Sequence, residues 1–115
     1  MSDCIFCKMV NKEIPADIVY EDEQILAFKD INPQAPVHIL LIPKKHMDDI
    51  SAMDEQDMAL IGKIHLVAAD LARQMGIDQS GFRLLTNCKK DSGQEVPHLH
   101  FHLIGGVYLG AFTNK

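Results

Sequence analysis

The chain of 115 residues has no tryptophan, three cysteines and no hydrophobic run long enough to cross a membrane. A membrane-spanning helix needs about 18 or more predominantly apolar residues, so we expect no membrane partner. An odd number of cysteines does not complete a secreted disulfide framework and fits the reducing cytoplasm, which is the location that we expect. The N-terminal residues carry no basic segment followed by an apolar one, so no signal peptide is predicted.

The chain is also poor in basic residues, with 11 lysines and arginines against 16 aspartates and glutamates and a net charge of −5. Binding to a nucleic-acid backbone depends on broad positive charge, so we expect no nucleic-acid partner, although a small anion held by local donors is compatible with this charge. The hydrophobic content of 47% and the charged content of 23% are ordinary for a globular protein. We predict a single domain over residues 1–115, with residues 1–3 and 107–115 as flexible or dimer-contacting ends.

Half of the six histidines lie within five residues, in the segment from Pro97 to Ile104. Polar and apolar residues alternate there, which is typical of a half-buried strand. His98, His100 and His102 should then share one face of the strand at spacings of about 6–7 Å. Such a row can be a catalytic group, a metal site or an incidental polar face, since neutral imidazole is a nucleophile, an acid or base, and a ligand. The spacing alone does not decide among the three.

The remaining patterns predict an α+β fold with a mainly antiparallel sheet of about five strands, one long helix and one short helix. Apolar residues recur at helical spacing over residues 54–75, where Asp54 is a suitable cap. The short helix follows Asp3 as a cap. The strands are predicted over residues 18–20, 25–28, 37–42, 82–87 and 97–104.

Two further groups of residues carry possible chemistry. Cys4 and Cys7 form a CxxC pair, which is either half of a zinc site or two buried thiols. Asn87, Gly93 and Gln94 lie just before the histidine row, where amide and backbone donors could form an anion pocket.

The segment His98-Leu-His-Phe-His-Leu-Ile104 resembles the histidine-triad motif, His-φ-His-φ-His-φ-φ, in which φ is apolar. The rest of the chain, from about Cys4 to Gly106, is similar to the Hint branch of that family. The similar segments are Ile5-Phe6, Glu13-Ile-Pro15, the loop from Asp30 with Pro33-Gln-Ala-Pro36, Ile42-Pro-Lys-Lys-His46, and Gly93-Gln-Glu-Val96.

The resemblance implies a histidine-triad fold and a hydrolase or transferase for purine nucleoside 5′-phosphoramidates, among them adenosine 5′-phosphoramidate and aminoacyl-adenylate-like compounds. A covalent nucleotidyl-histidine intermediate would form without a catalytic cofactor, and the protein would be a homodimer. By position, His100 would be the nucleophile, and His102 would hold the phosphate and help to protonate the leaving amine. His98 would position the row and His38 would orient His100. The alternative is a nucleotide-binding or zinc-binding module with vestigial catalysis.

The resemblance also implies a substrate-binding set and a metal site. Asn87 and Gln94 would contact the phosphate, together with Gly93, Glu95 and Val96, and Asp30 would bind the ribose hydroxyls. The base would lie against Phe6, Met9, Ile14 and Ile31. A structural zinc would be bound by Cys4, Cys7, His46 and His98. The chain departs from the family pattern at Pro97, where an aromatic residue is frequent, at Glu95, where a small hydroxyl residue is common, and in a tail without tryptophan.

Overall fold

A computed structural model describes residues 3–111 and contains one five-stranded sheet in the order β1-β2-β3-β5-β4. Every neighbouring pair of strands is antiparallel, so the predicted fold class is confirmed. The strands are β1 (Ile18–Glu21), β2 (Ile25–Lys29), β3 (Val37–Pro43), β4 (Phe82–Thr86) and β5 (Phe101–Gly105), and the helices are α1 (Ile5–Val10) and α2 (Met58–Gln74). Short 3₁₀ turns lie at Ile50–Ala52, Glu55–Asp57 and Lys90–Ser92.

The sheet separates two apolar clusters, because side chains of a strand alternate between its faces. On one face, α2 covers the larger cluster, to which Ile39 and Leu41 of β3 contribute. On the other face, Phe6 of α1 packs against a smaller cluster that includes Leu40 and Ile42. Strand β3 is therefore buried on both faces, as its nearly continuous apolar sequence predicts.

The starts of both helices differ in detail from the prediction. The side chain of Asp54 caps a 3₁₀ turn through a capping box with Asp57, and α2 begins only at Met58. At α1 the cap is Cys4 and not Asp3: the Cys4 sulfur accepts a hydrogen bond from the backbone N–H of Cys7. In residues 3–111 no helix is both long and apolar enough to span a membrane.

The predicted strand over residues 97–104 is shorter than expected, since β5 begins at Phe101. Its neighbour β3 ends at Pro43, which has no N–H to donate to a ladder. The N–H of Leu99 instead donates to the carbonyl of Met47 at 2.6 Å. His98 and His100 consequently lie in an irregular segment before β5, whereas His102 lies within β5.

Candidate active site and metal cluster

The histidine row keeps the predicted separation of faces in spite of its irregular start. Leu99, Phe101 and Leu103 belong to the cluster under α2. On the opposite side the ring of Phe6 makes edge contacts with the rings of His98 and His100, at centroid distances of 5.8 and 5.1 Å. Helix α1 thus covers the start of the row.

His98 is fully buried, and its ring belongs to a cluster separate from the other two histidines. Its Nε2–H donates to the carbonyl oxygen of Pro43 at 2.9 Å. Nδ1 therefore keeps its lone pair and lies 3.3 Å from the sulfur of Cys4 and 3.1 Å from Nδ1 of His46. Burial lowers the pKa of His98, so the ring is neutral and able to act as a ligand.

Four potential ligand atoms from Cys4, Cys7, His46 and His98 all lie within 4.8 Å of one another. The sulfur of Cys7 is 3.2 Å from Nδ1 of His46. Nε2 of His46 lies 2.9 Å from a carboxylate oxygen of Asp48, so the second nitrogen of each ring is held by an oxygen atom. Two thiols and two imidazoles, oriented by such outer partners, are the donor set that tetrahedral zinc prefers.

The backbone of His98 orients His100. The Nδ1–H of His100 donates to the carbonyl oxygen of His98 at 2.7 Å, which fixes the tautomer. In this tautomer Nε2 of His100 carries the lone pair, and His100 lines both of the cavities described below. A buried imidazole whose Nδ1–H is held by a backbone carbonyl is arranged to act as a nucleophile through Nε2.

His38 contacts His102, whereas the resemblance implied a contact with His100. The strand register pairs His38 with Ile104, which makes His102 its diagonal neighbour across the sheet. The backbone N–H of Gln34 donates to Nδ1 of His38 at 3.0 Å, so the hydrogen of His38 is on Nε2. Nε2 lies 2.9 Å from Nδ1 of His102 and 3.4 Å from a carboxylate oxygen of Asp30.

These successive hydrogen bonds determine which nitrogen of His102 carries the hydrogen. Nδ1 accepts from His38, so the hydrogen of His102 lies on Nε2. Burial, with smaller contributions from His100 and His38, lowers the pKa of His102 to about 4. Burial also lowers the pKa of His38, against the opposite influence of Asp30. Both rings are neutral at pH 7 and act as oriented hydrogen-bond donors.

Asp30, His38 and His102 also bring three potential ligand atoms within 4.8 Å of one another. The hydrogen bond from the N–H of Gln34 is evidence against a metal ion there. It occupies the lone pair on Nδ1 of His38, so the ring carries its hydrogen on Nε2, the nitrogen that faces His102 and Asp30. A metal on Nε2 would leave that imidazole with no hydrogen on either nitrogen. We therefore interpret this group as a hydrogen-bond relay.

Two adjoining cavities of about 480 and 250 Å³ meet at the histidine row. They share Asp30, Glu95, His100 and His102. The larger cavity is polar and is also lined by Asn32, Gln34, His38, Asn87 and Gly93. The smaller is largely apolar, and its walls include Phe6, Met9, Ile31, Leu40 and Val96. A polar chamber beside an apolar one suits a ligand with a phosphate and an aromatic base.

Two residues of the expected substrate set lie elsewhere. The side-chain oxygen of Gln94 accepts from the N–H of Lys89, and its amide nitrogen donates to the carbonyls of Asp48 and Val96. Gln94 therefore braces its own loop and does not line either cavity. Ile14 lines a separate depression beside Met9, whereas Pro15 and Ala16 line both that depression and the apolar cavity.

Sequence reasoning missed Asn32 and Gln34, which line the polar cavity. The contribution of Gln34 to the histidines is a backbone N–H, which every residue except proline has. Its residue type therefore gives no signal, and only the loop with two prolines indicated an unusual backbone there.

Comparisons with known proteins agree with this architecture. Residues 11–108 match the HIT domain. The purine nucleoside phosphoramidase of Escherichia coli strain K12 is 48% identical over 111 residues, which cover 94% of this chain and 91% of that protein. A HIT family hydrolase from Clostridium thermocellum superposes with a TM-score of 0.93 at 46% identity and covers 96% of each chain. A histidine triad protein from Clostridium difficile gives 0.93 at 48% identity and covers 98% of each. The resemblance is confirmed, and the chain belongs to the HIT, or histidine triad, family.

Proposed function

We propose that this HIT protein hydrolyses purine nucleoside 5′-phosphoramidates and releases a nucleoside monophosphate and an amine. The observation that carries the proposal is the orientation of His100, whose Nδ1–H donates to the carbonyl of His98 and leaves Nε2 as its nucleophilic nitrogen, where a polar and an apolar cavity meet. The 48% identity to a purine nucleoside phosphoramidase supports the substrate class. The apolar cavity would take the base, Asp30 the ribose, and the polar cavity the phosphoryl group, with Asn87 and Gly93 beside it.

The reaction would have two displacements at phosphorus. Nε2 of His100 attacks, the phosphorus–nitrogen bond breaks with its electron pair on nitrogen, and that nitrogen takes up a proton from a water molecule whose oxygen accepts a hydrogen bond from Nε2–H of His102. The hydroxide that remains attacks the nucleotidyl-imidazole, the bond from phosphorus to His100 breaks, and its electron pair returns to Nε2 of His100. Oriented donors around the phosphoryl oxygens supply the charge stabilisation, so the residues of this chain perform the chemistry without a catalytic cofactor.

The test is the mass of the intact protein shortly after it is mixed with adenosine 5′-phosphoramidate and quenched without acid. Wild type should gain one adenylyl group and release adenosine monophosphate, whereas His100→Ala should do neither. His65→Ala is the matched control, since His65 is an exposed histidine of α2 outside both cavities.

Undiminished product release by His100→Ala would refute the proposal. Tight binding of adenosine monophosphate by wild type without any turnover would favour the alternative, a nucleotide-binding module with vestigial catalysis.

We also propose a structural zinc ion at Cys4, Cys7, His46 and His98. The donor set fits this ion, and Cys4 and Cys7 line neither cavity, so the metal would support the fold and take no part in the reaction. Thiolate ligands need a reducing surrounding, which supports the cytoplasm as the location.

Metal analysis of purified Cys7→Ser and Cys88→Ser compares a cluster cysteine with one outside it. We expect about one zinc ion per chain in wild type and Cys88→Ser and a loss in Cys7→Ser, with a cobalt–thiolate absorption band following the same pattern. Equal zinc in all three proteins would refute the assignment.

A homodimer is the third proposal. Strand β4 is an edge of the described sheet, and α2 exposes 69% of Leu66 and 63% of Met58. An unpaired edge and exposed apolar side chains are features that a second copy of the chain could cover. Light scattering during gel filtration should give twice the mass of one chain, and a monomer at high concentration would contradict it.

A further inference from the structure

The charges around the polar cavity are unusual for a site that takes a phosphoryl group. Two carboxylates, those of Asp30 and Glu95, line it, and the rings of its histidines are neutral or hydrogen-bonded donors. Within residues 3–111 neither a lysine nor an arginine lines this cavity. Lys29 lines the apolar cavity, where its nitrogen lies 4.0 Å from Asp17. No cationic side chain of the described chain therefore balances the two carboxylates.

The two carboxylates differ in their partners. One oxygen of Asp30 accepts from the N–H of Asn32 at 2.8 Å, and the other lies 3.4 Å from Nε2 of His38. The side chain of Glu95 is exposed and has no hydrogen bond or ion pair with the described residues. Glu95 also lines both cavities together with His100 and His102, so it stands beside the reacting centre with its charge uncompensated.

Such a carboxylate can attract a cation of the substrate. It repels an anionic phosphoryl group, and a purine base and a ribose are uncharged. The phosphoryl group, the base and the ribose of the proposed substrate therefore provide no positive charge for Glu95. The remaining part is the leaving amine. An in-line displacement directs that group away from His100, into the wider polar cavity and toward its solvent-exposed border.

We propose that Glu95 is a specificity-determining residue that selects phosphoramidates whose leaving amine carries a second, positively charged nitrogen. The substrate class would be nucleotides joined to diamines or to side chains that end in ammonium or guanidinium. This inference rests on the proposed phosphoramidase function, because it concerns the leaving group of the same reaction. The carboxylate would attract the distant cation and would leave the bond changes at phosphorus as they are.

The test compares two adenosine 5′-phosphoramidates of equal shape. One carries 1,4-diaminobutane, whose free end is an ammonium group, and the other carries n-pentylamine, whose free end is a methyl group. In wild type we expect kcat/KM to be about threefold higher for the cationic compound, the effect of one charge pair at about 6 Å in water. The preference should decrease as salt is added.

Three variants make the test specific. Glu95→Gln keeps the size of the side chain and should reduce the ratio to about one, and Glu95→Lys should reverse the preference. Asp91→Asn is the matched control, because Asp91 is an exposed acid of the same loop that does not line either cavity. Its ratio should remain that of wild type.

The outcomes separate the two proposals. An unchanged ratio in both Glu95 variants, with measurable turnover, would refute the role of Glu95 while the phosphoramidase function stands. Wild type that releases adenosine monophosphate from neither compound would instead refute the proposed function.

Discussion

The half-buried, neutral state of His102 makes a quantitative prediction about stability at mild acidity. The pKa of His102 is about 4 in the folded chain and 6.5 without its surroundings. Below pH 6.5 the unfolded chain therefore binds a proton that the folded chain excludes, and the free energy of unfolding falls as the pH decreases toward 4. Above pH 6.5 this contribution to stability is complete, and below pH 4 no further loss occurs.

The size follows from the two pKa values. Each unit of difference corresponds to about 1.4 kcal/mol, so the full loss is on the order of 3 kcal/mol and the loss between pH 7 and pH 5 is about 2 kcal/mol. The lowered pKa values of His38 and His98 add to the pH dependence of wild type. The contribution of His102 must therefore be taken as a difference between proteins.

Urea unfolding at pH 7, 6 and 5, at matched metal content, compares wild type with His102→Gln and His65→Gln. The His102 variant should lose about 2 kcal/mol less than wild type between pH 7 and pH 5. The His65 variant, which removes an exposed histidine, should follow wild type. If His102→Gln lost as much stability as wild type, the desolvated state of His102 would be refuted.

Three further predictions concern the relay, a strained residue and the core. Gln34→Pro removes the N–H that donates to His38, so its kcat/KM should fall by about 3- to 10-fold, and by much less in Gln34→Ala, which keeps the N–H; equal losses would contradict the relay. Lys12 has a φ of 63° just after α1, so Lys12→Gly should have a free energy of unfolding about 0.5–1 kcal/mol higher than Lys12→Ala, which likewise lacks the ion pair with Glu21; equal values in urea titrations would contradict the strain. Ile64 is wholly buried under the sheet, so Ile64→Ala should cost about 3–4 kcal/mol against about 1 for the partly exposed Ile18→Ala. Comparable losses would mean that the α2 core is not packed as described.

The fold was predictable because the spacing of apolar residues along the chain distinguishes its helices from its strands. The apolar strand at residues 37–42 and the helical spacing over residues 54–75 depend only on residues near in sequence, and both were predicted within a few positions. The alternation at residues 97–104 correctly separated the two faces of the histidine row. It could not indicate that the ladder starts at Phe101, because that depends on Pro43 of a distant strand and on the carbonyl of Met47.

The sequence predicted most of the residues that form the candidate site, but it predicted their mutual contacts less well. Residue types indicated the histidines, but the contact of His38 with His102 follows from strand register, which the sequence does not specify. The amide of Gln94 could bind a phosphate in principle, yet in the fold it binds three backbone groups of the surrounding loops. Long-range register and backbone hydrogen bonds, which carry no residue-type signal, account for both differences.

The backbone of His98 connects the cluster of cysteines and histidines with the proposed nucleophile, His100. Its ring faces the sulfur of Cys4, whereas its carbonyl oxygen accepts the Nδ1–H that fixes the tautomer of His100. Phe6, between the two cysteines in sequence, also packs against the ring of His100. A metal ion on the cluster would therefore immobilise the acceptor that holds Nδ1–H of His100 and orients its Nε2, while remaining outside both cavities. Loss of that metal should reduce turnover by loosening the orientation of the nucleophile, because the acceptor of its Nδ1–H is the carbonyl oxygen of His98.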